Sequence, residues 1–302
     1  MKYTLSVVVS AYNEEKTLSR CLESVTGIAD EIIVVDNSST DATANIAKKY
    51  TKKVFVQKNQ LMLNINKNYG FSKATGDWIL NLDADEVLPV ALATEIKKLI
   101  ARNPEENGFW IKRKNFSFGR WIQHGLWWPD KQIRLFRRPQ GKFPCVHIHE
   151  YIEVVGKVGE LDEPYTHYNY ESVSQYLAKI DRASSSEAIT LTESNYQLSW
   201  FDALRFPISD FIKIYFAEGG YKDGLHGLVL SMFQAFYSFA TFAKKWEMDK
   251  FEERDIQLSA VSDELKERGK EISYWTLTAS MKDSKNIVAN IIKKIKRKSL
   301  GL

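Results

Sequence analysis

Short β-branched runs alternate with helically spaced apolar residues through the first third of the chain. Residues 5–9 and 32–35 read as strands, and Leu18, Cys21, Leu22 and Val25 recur between them at helical spacing. The second strand runs into Asn37-Ser38-Ser39-Thr40-Asp41, rich in helix-capping types, ahead of a helical run over 42–50. A third strand over 54–56, a polar helix over 61–74 and an apolar strand opening at Trp78 continue the rhythm, with Gly76 closing the helix. Strand and helix alternating in this way predict a parallel sheet with helices on both faces.

Beyond residue 86 the pattern changes. Leu92, Ile96, Leu99 and Ile100 mark another helix, and residues 109–114 and 132–136 read as strands. Trp121, Trp127 and Trp128 fall between those strands in a stretch punctuated by Gly and Pro, where rings serve either as core or as a sugar-binding wall. Residues 147–161, broken at Gly156, suggest a hairpin or an irregular strand pair. After Tyr170 the signals are almost all helical. Two domains are expected: residues 1–170 as an α/β unit and residues 171–302 as a helical extension.

Composition adds limits rather than chemistry. With 44% hydrophobic and 26% charged residues, the 302-residue chain is a folded protein rather than a disordered one. Its formal charge of +4 is concentrated at the end, because residues 282–298 hold seven basic residues and one acid, leaving the rest slightly acidic. A nucleic-acid partner is therefore not expected. Cys21 and Cys145 are isolated in sequence, as suits a reducing compartment, and no leader pattern precedes the first apolar run. The catalytic part is expected in the cytosol.

The most informative stretch is Trp78-Ile79-Leu80-Asn81-Leu82-Asp83-Ala84-Asp85-Glu86, an apolar strand that stops abruptly in carboxylates. Open α/β sheets bind ligands beyond the carboxyl ends of their strands, and carboxylates there suit a hard cation such as Mg²⁺ or Mn²⁺ shared with substrate phosphates. Two more polar clusters end the first two strands: Ala11-Tyr12-Asn13-Glu14-Glu15 and Asp36-Asn37-Ser38. Parallel strands bring all three to one edge. There Tyr12 can stack on a base, Asp36 can accept from a base imide or ribose, and Asp83 or Asp85 can reach a metal. Lys67 and Asn68 add a cation and a donor from the preceding helix. No glycine-rich phosphate loop follows the first strand, which argues against a nucleotidyltransferase.

Together, Ser10-Ala11-Tyr12-Asn13-Glu14, the segment from Val34 to Thr43, and Leu82-Asp83-Ala84-Asp85-Glu86 resemble the inverting family 2 glycosyltransferases. Gln132-Ile133-Arg134-Leu135-Phe136-Arg137-Arg138, then His149-Glu150 and Gly156-Lys157-Val158-Gly159, resemble more narrowly the bacterial branch that includes lipopolysaccharide core glucosyltransferases. The resemblance implies an A-type nucleotide-sugar fold with a mostly parallel, Rossmann-like sheet. It also implies a nucleotide-sugar donor, expected to be UDP-linked, and a metal-dependent hexosyltransferase acting on a hydroxyl of a surface glycan. Asp83, Asp85 and His149 are the expected metal ligands, with Tyr12, Asn13, Glu14, Asp36, Lys67, Asp83 and Arg134 around the donor. Glu150 is the expected base and Asp130 its understudy, because a hydroxyl is a poor nucleophile until it loses its proton. Asn37 departs from the family, many of whose members carry a second aspartate there. Transfer to a polyprenyl phosphate, which needs no base, and a non-catalytic nucleotide-binding role are the alternatives.

The helical extension carries its own signal. Residues 225–243 hold no Lys, Arg, Asp or Glu, yet His226, Ser231, Gln234 and Ser238 make them a poor membrane span. In the tail, Ile287, Val288, Ile291, Ile292 and Ile295 form one stripe beside Lys293, Lys294, Lys296, Arg297 and Lys298, a membrane-surface pattern. Peripheral attachment at the cytoplasmic face of an inner membrane is expected, near a glycan or lipid-linked acceptor. Packing as a core or as a homo-oligomer face is the competing use, and true membrane spanning is the third.

Overall fold

The computed structural model describes residues 3–60, 62–146 and 150–300, which fall into two compact units. The first comprises Met1–Phe116 and Trp128–Asn169; the second comprises Ser117–Trp127 and Tyr170–Leu302.

In chain order the first unit begins β1 (Leu5–Ala11), α1 (Leu18–Thr26), β2 (Glu31–Asp36), α2 (Thr43–Ala47), β3 (Val54–Val56), α3 (Leu63–Lys73) and β4 (Trp78–Asp83). It continues with β5 (Glu86–Val87), α4 (Val90–Ala101) and β6 (Gly108–Ser117). After β7 (Arg120–Trp121), which belongs to the second unit, come β8 (Lys131–Arg137), β9 (Gly141–Lys142), β10 (Glu153–Val154), β11 (Val158–Glu160) and β12 (Tyr165–Tyr170). The main sheet runs in the order β3-β2-β1-β4-β8-β6-β12-β5. Its first four strands are parallel, and β8 turns the sheet antiparallel against both β4 and β6.

Alternation along β1 divides the core. Val7 and Val9 face Leu18, Leu22, Leu92 and Ile96 of α1 and α4, whereas Val8 joins Ile33, Ile79, Phe71 and Phe136 on the side of α3. Leu22 is fully buried, and burying such a side chain stabilises the fold by about 1.5–3 kcal/mol. On the opposite face α3 approaches the sheet through Gly70. A Cβ there would sit 2.5 Å from Val8 Cγ1 and 3.0 Å from Val35 Cγ2. No larger residue fits without displacing one of those valines.

The expected strand pair over 147–161 takes another form. β10 pairs antiparallel with β9, and β11 pairs parallel with β6, so the two short strands never meet each other. Their partners are distant in sequence, and local patterning cannot name them.

The second unit is helical: α5 (Val173–Glu193), α6 (Asp202–Phe211), a π-helical turn at Ile212–Ala217, α7 (Gly224–Met248), α8 (Leu258–Lys282) and α9 (Ile287–Lys298). Ser172 caps α5 by accepting from the Gln175 amide at 3.1 Å. α7 packs against both α5 and α6. Its inward face is mostly small or polar, with Gly227, Ser231, Ala235, Ser238 and Thr241 beside the buried Leu230, while Leu225, Met232, Phe236 and Phe239 point outward. By length and composition alone the helical stretch Gly220–Met248 just reaches what a bilayer crossing needs, in keeping with the polar residues that make it a poor span.

Candidate active site

Strand register brings the three polar motifs to one edge. Ala11 lies opposite Asp36 and Ser10 opposite Asp83, so β1, β2 and β4 end together. The loops beyond them are stitched across. Asn13, at φ 53°, accepts from the Thr40 amide at 2.8 Å, and its own amide donates to Ser39 Oγ at 2.9 Å. The Glu14 amide donates to Thr43 Oγ1 at 2.7 Å, while the Glu14 carboxylate accepts from Thr17 Oγ1 at 2.6 Å at the start of α1. Asp36 is buried and faces the Ser39 amide at 3.3 Å; Tyr12 beside this loop is half-buried.

Asn37 also has a defined role. Its amide nitrogen donates to Ser10 Oγ at 3.0 Å and its oxygen accepts from Asn66 at 2.6 Å, linking β1 to α3. An aspartate would lose the first of these donations and bring charge into a buried position.

The centre of the edge is a buried charge cluster. Asp83 accepts from Lys67 Nζ at 2.6 Å and from Arg134 Nη2 at 2.8 Å. The same Arg134 nitrogen reaches Glu86 Oε1 at 2.5 Å, and Arg134 Nε donates to the Tyr165 hydroxyl at 3.2 Å. Burial alone would raise the Asp83 carboxyl, but Lys67 and Arg134 outweigh it and hold that group well below the usual carboxylate range. Glu86 shifts the other way, because burial outweighs the pull of Arg134. Glu86 is fully buried and accepts from the Asp83 amide at 2.9 Å, so this third acid of the motif props its first.

Asp85 lies to one side. Its Oδ1 is 3.4 Å from His167 Nε2, and His167 Nδ1 meets Asn115 Oδ1 at 2.6 Å. His149, like His147, lies outside the described residues. Asp130 is taken up by Arg113, Asn115 and Gln132, with Arg113 Nη2 at 2.5 Å. Arg134 and Arg137 diverge as strand residues three apart must: Arg137 bonds Asn103 and the Pro104 carbonyl instead.

A cavity of about 250 Å³ opens at this edge, lined among others by Asn64, Lys67, Asp83, Gln132, Arg134 and Glu150. Four of the expected site residues thus meet around one hollow: Lys67, Asp83, Arg134 and Glu150. Tyr12, Asn13, Glu14, Asp36 and Asp85 do not line it, nor do Trp121, Trp127 and Trp128. Glu150 Oε1 accepts from Asn64 Nδ2 at 3.0 Å and from the Cys145 amide at 2.6 Å, and its Oε2 accepts from the Val146 amide at 3.0 Å.

Of the asparagines of α3, sequence reasoning named only Asn68, as a donor for the site, and passed over Asn64 and Asn66. Asn64 reaches Glu150, Asn66 reaches Asn37 and the Lys58 carbonyl, and Asn68 both donates to the Phe143 carbonyl and accepts from its amide. The signal was the Asn-Ile-Asn-Lys-Asn alternation in a helix without an apolar stripe. Among the described residues no three His, Cys, Asp or Glu side chains gather as a metal-ligand set. Of the two expected carboxylate ligands, Asp83 lines the cavity and Asp85 faces His167; a hard cation, which takes one or two carboxylates and completes its shell with phosphate oxygens and water, would meet Asp83 there.

Residues 6–150 match the family model described as glycosyl transferase family 2. An uncharacterized glycosyltransferase of Rickettsia typhi is 31% identical over 255 residues, covering 81% of this chain and 87% of the relative. The chain belongs to glycosyl transferase family 2. Its sheet and flanking helices are the A-type glycosyltransferase fold, followed by a helical C-terminal region. This family 2 chain is also similar to the lipopolysaccharide core biosynthesis glycosyltransferase LpsC of Rhizobium meliloti, 28% identical over 252 residues, 82% of this chain and 93% of LpsC. Among solved structures it resembles S. aureus TarS 1-349, with 15% identity, coverage of 85% and 95%, and a TM-score of 0.44.

Proposed function

We propose that this glycosyltransferase moves a sugar, with inversion, from a UDP-linked donor to a hydroxyl of a lipopolysaccharide-type surface glycan at the cytoplasmic face of a membrane. The observation that carries the reading is the cavity in which three cations, Lys67, Arg113 and Arg134, and two carboxylates, Asp83 and Glu150, meet beyond the carboxyl ends of the strands. Glu150 takes the proton of the acceptor hydroxyl as that oxygen bonds to the anomeric carbon. The bond from that carbon to the donor diphosphate breaks, and Lys67 and Arg134 stabilise the charge that builds on the leaving group. Asp83 and Asp85 would hold a Mg²⁺ or Mn²⁺ ion, which when bound supplies further neutralisation of the diphosphate. Tyr12 and Asp36 belong to the nucleoside end of the same edge. The resemblance to LpsC supports the acceptor class.

Glu150→Gln tests the reading. Transfer to a hydroxyl acceptor should fall by about 10²–10⁴-fold while UDP-sugar binding, followed by calorimetry, stays within a few-fold. Full transfer in that variant would instead favour an acceptor that is already an anion, such as a polyprenyl phosphate.

A further inference from the structure

The last helix faces the wrong way for a protein surrounded only by water. In α9 the side chains turned toward the protein are Ala289, Asn290, Lys293 and Arg297, all partly buried. Lys293 Nζ donates to the Ser280 carbonyl at 3.2 Å and Arg297 donates to Thr278 Oγ1 at 3.1 Å while covering the Tyr274 ring, so α8 receives the polar side of α9. The aliphatic side is turned out: Ile287, Val288, Ile291, Ile292 and Ile295 are 51–75% exposed. An amphipathic helix in a water-soluble unit buries its apolar stripe, and this one buries the other.

Charge identifies what covers that stripe. At about 100° per residue, Lys294 and Lys298 border the isoleucines on one side and Lys296 on the other, and all three are exposed. Aliphatic side chains flanked by lysines match the boundary of an anionic bilayer, where the chains enter the acyl region and the ammonium groups stay among the headgroups. A protein partner would favour a stripe richer in aromatic anchors and poorer in lysine.

We propose that α9 docks this glycosyltransferase on an anionic lipid surface through its outward isoleucine stripe, with Lys294, Lys296 and Lys298 as headgroup contacts. This deepens the peripheral location proposed above, and its test reads lipid binding without turnover. The full-length protein is sedimented with phosphatidylcholine vesicles, with and without phosphatidylglycerol. Binding should require phosphatidylglycerol and weaken as salt is raised. Joint substitution Ile291→Asp and Ile292→Asp should lower binding at least tenfold, and Lys294→Gln with Lys298→Gln should lower it several-fold. Lys293→Gln, on the inward side, should leave it unchanged. Circular dichroism and UDP-sugar binding confirm that each variant is folded. Vesicle binding unaffected by the isoleucine substitutions would overturn the proposal, as would a wild-type dimer that those substitutions convert to monomer without any lipid effect.

Discussion

The two ends of the parallel sheet are built from the same strands and from the same residue types, yet they do opposite things. At the amino-terminal end every carboxylate is a stitch. Glu31 accepts from Ser6, Lys53 and both the amide and hydroxyl of Thr75; Asp77 accepts from the amide and hydroxyl of Thr4; Asp30 accepts from the Leu5 amide. These bonds tie β1, β2 and the start of β4 together, and Gly76 closes the end by donating to Ser6 Oγ at 2.9 Å. At the carboxyl-terminal end Glu14 and Asp36 also meet hydroxyl or amide donors, but Asp83 and Glu86 lie in a concentrated field of charge. Asp83 and Glu86 share Arg134, Glu150 draws on amides, and a cavity remains between them. Hydrogen-bonded carboxylates at a closed edge stabilise; charged groups crowded at an open edge are tolerated because a ligand can use them.

Substitution can separate the two roles. The largest effect is expected for Asp83→Asn, which keeps the shape but removes the charge between Lys67 and Arg134. Turnover should fall by about 10²–10³-fold, and the fold should survive because Glu86 still holds Arg134 at 2.5 Å. Steady-state rates beside thermal melts check this; normal turnover would mean that Asp83 only balances its neighbours. Next comes Asn64→Ala. Its lost bond to Glu150 should cost no more than about 1 kcal/mol of stability while turnover falls roughly tenfold and the pH profile of kcat shifts. A loss of stability with an unchanged profile would place Asn64 among the stitches.

Much of this contrast lies beyond sequence reasoning. The parallel strands and α1 were legible because β-branched runs and the Leu18, Cys21, Leu22, Val25 spacing are local signals, all four of these residues being buried in the structure. The convergence of the motifs of Asp36 and Asp83 followed from strand direction alone. What escaped was pairing across long separations: Asn64 with Glu150 lies 86 positions apart, and Asn68 with Phe143 lies 75 apart. Glu86 read as one of the carboxylates that end the strand, suited to a cation, yet it is buried under Arg134, and nothing local distinguishes it from its neighbour. The stripe of α9 was visible as a pattern; which side it turns outward depends on α8 and is a tertiary fact.

The smallest effect belongs to the closed edge and is a matter of acid stability. Burial would raise the Glu31 carboxyl, but Lys53, Ser6 and Thr75 outweigh it and bring the group from its ordinary 4.5 down to about 2. A carboxylate depressed by folding contributes stability that is complete above its unfolded value and disappears as pH falls through the folded one. The window is therefore about pH 4.5 down to 2, and in it the wild type should lose stability as Glu31 is protonated. Because Lys53 is 46% exposed, its share is screened, and the whole contribution should be about 1–2 kcal/mol. Glu31→Gln should be less stable than the wild type by that amount at neutral pH and should converge on it near pH 2, as followed by urea melts across the range. Turnover at neutral pH should stay within about twofold, since Glu31 stands at the end of the sheet remote from the cavity. A variant that lost turnover without losing stability would erase the distinction between the two edges.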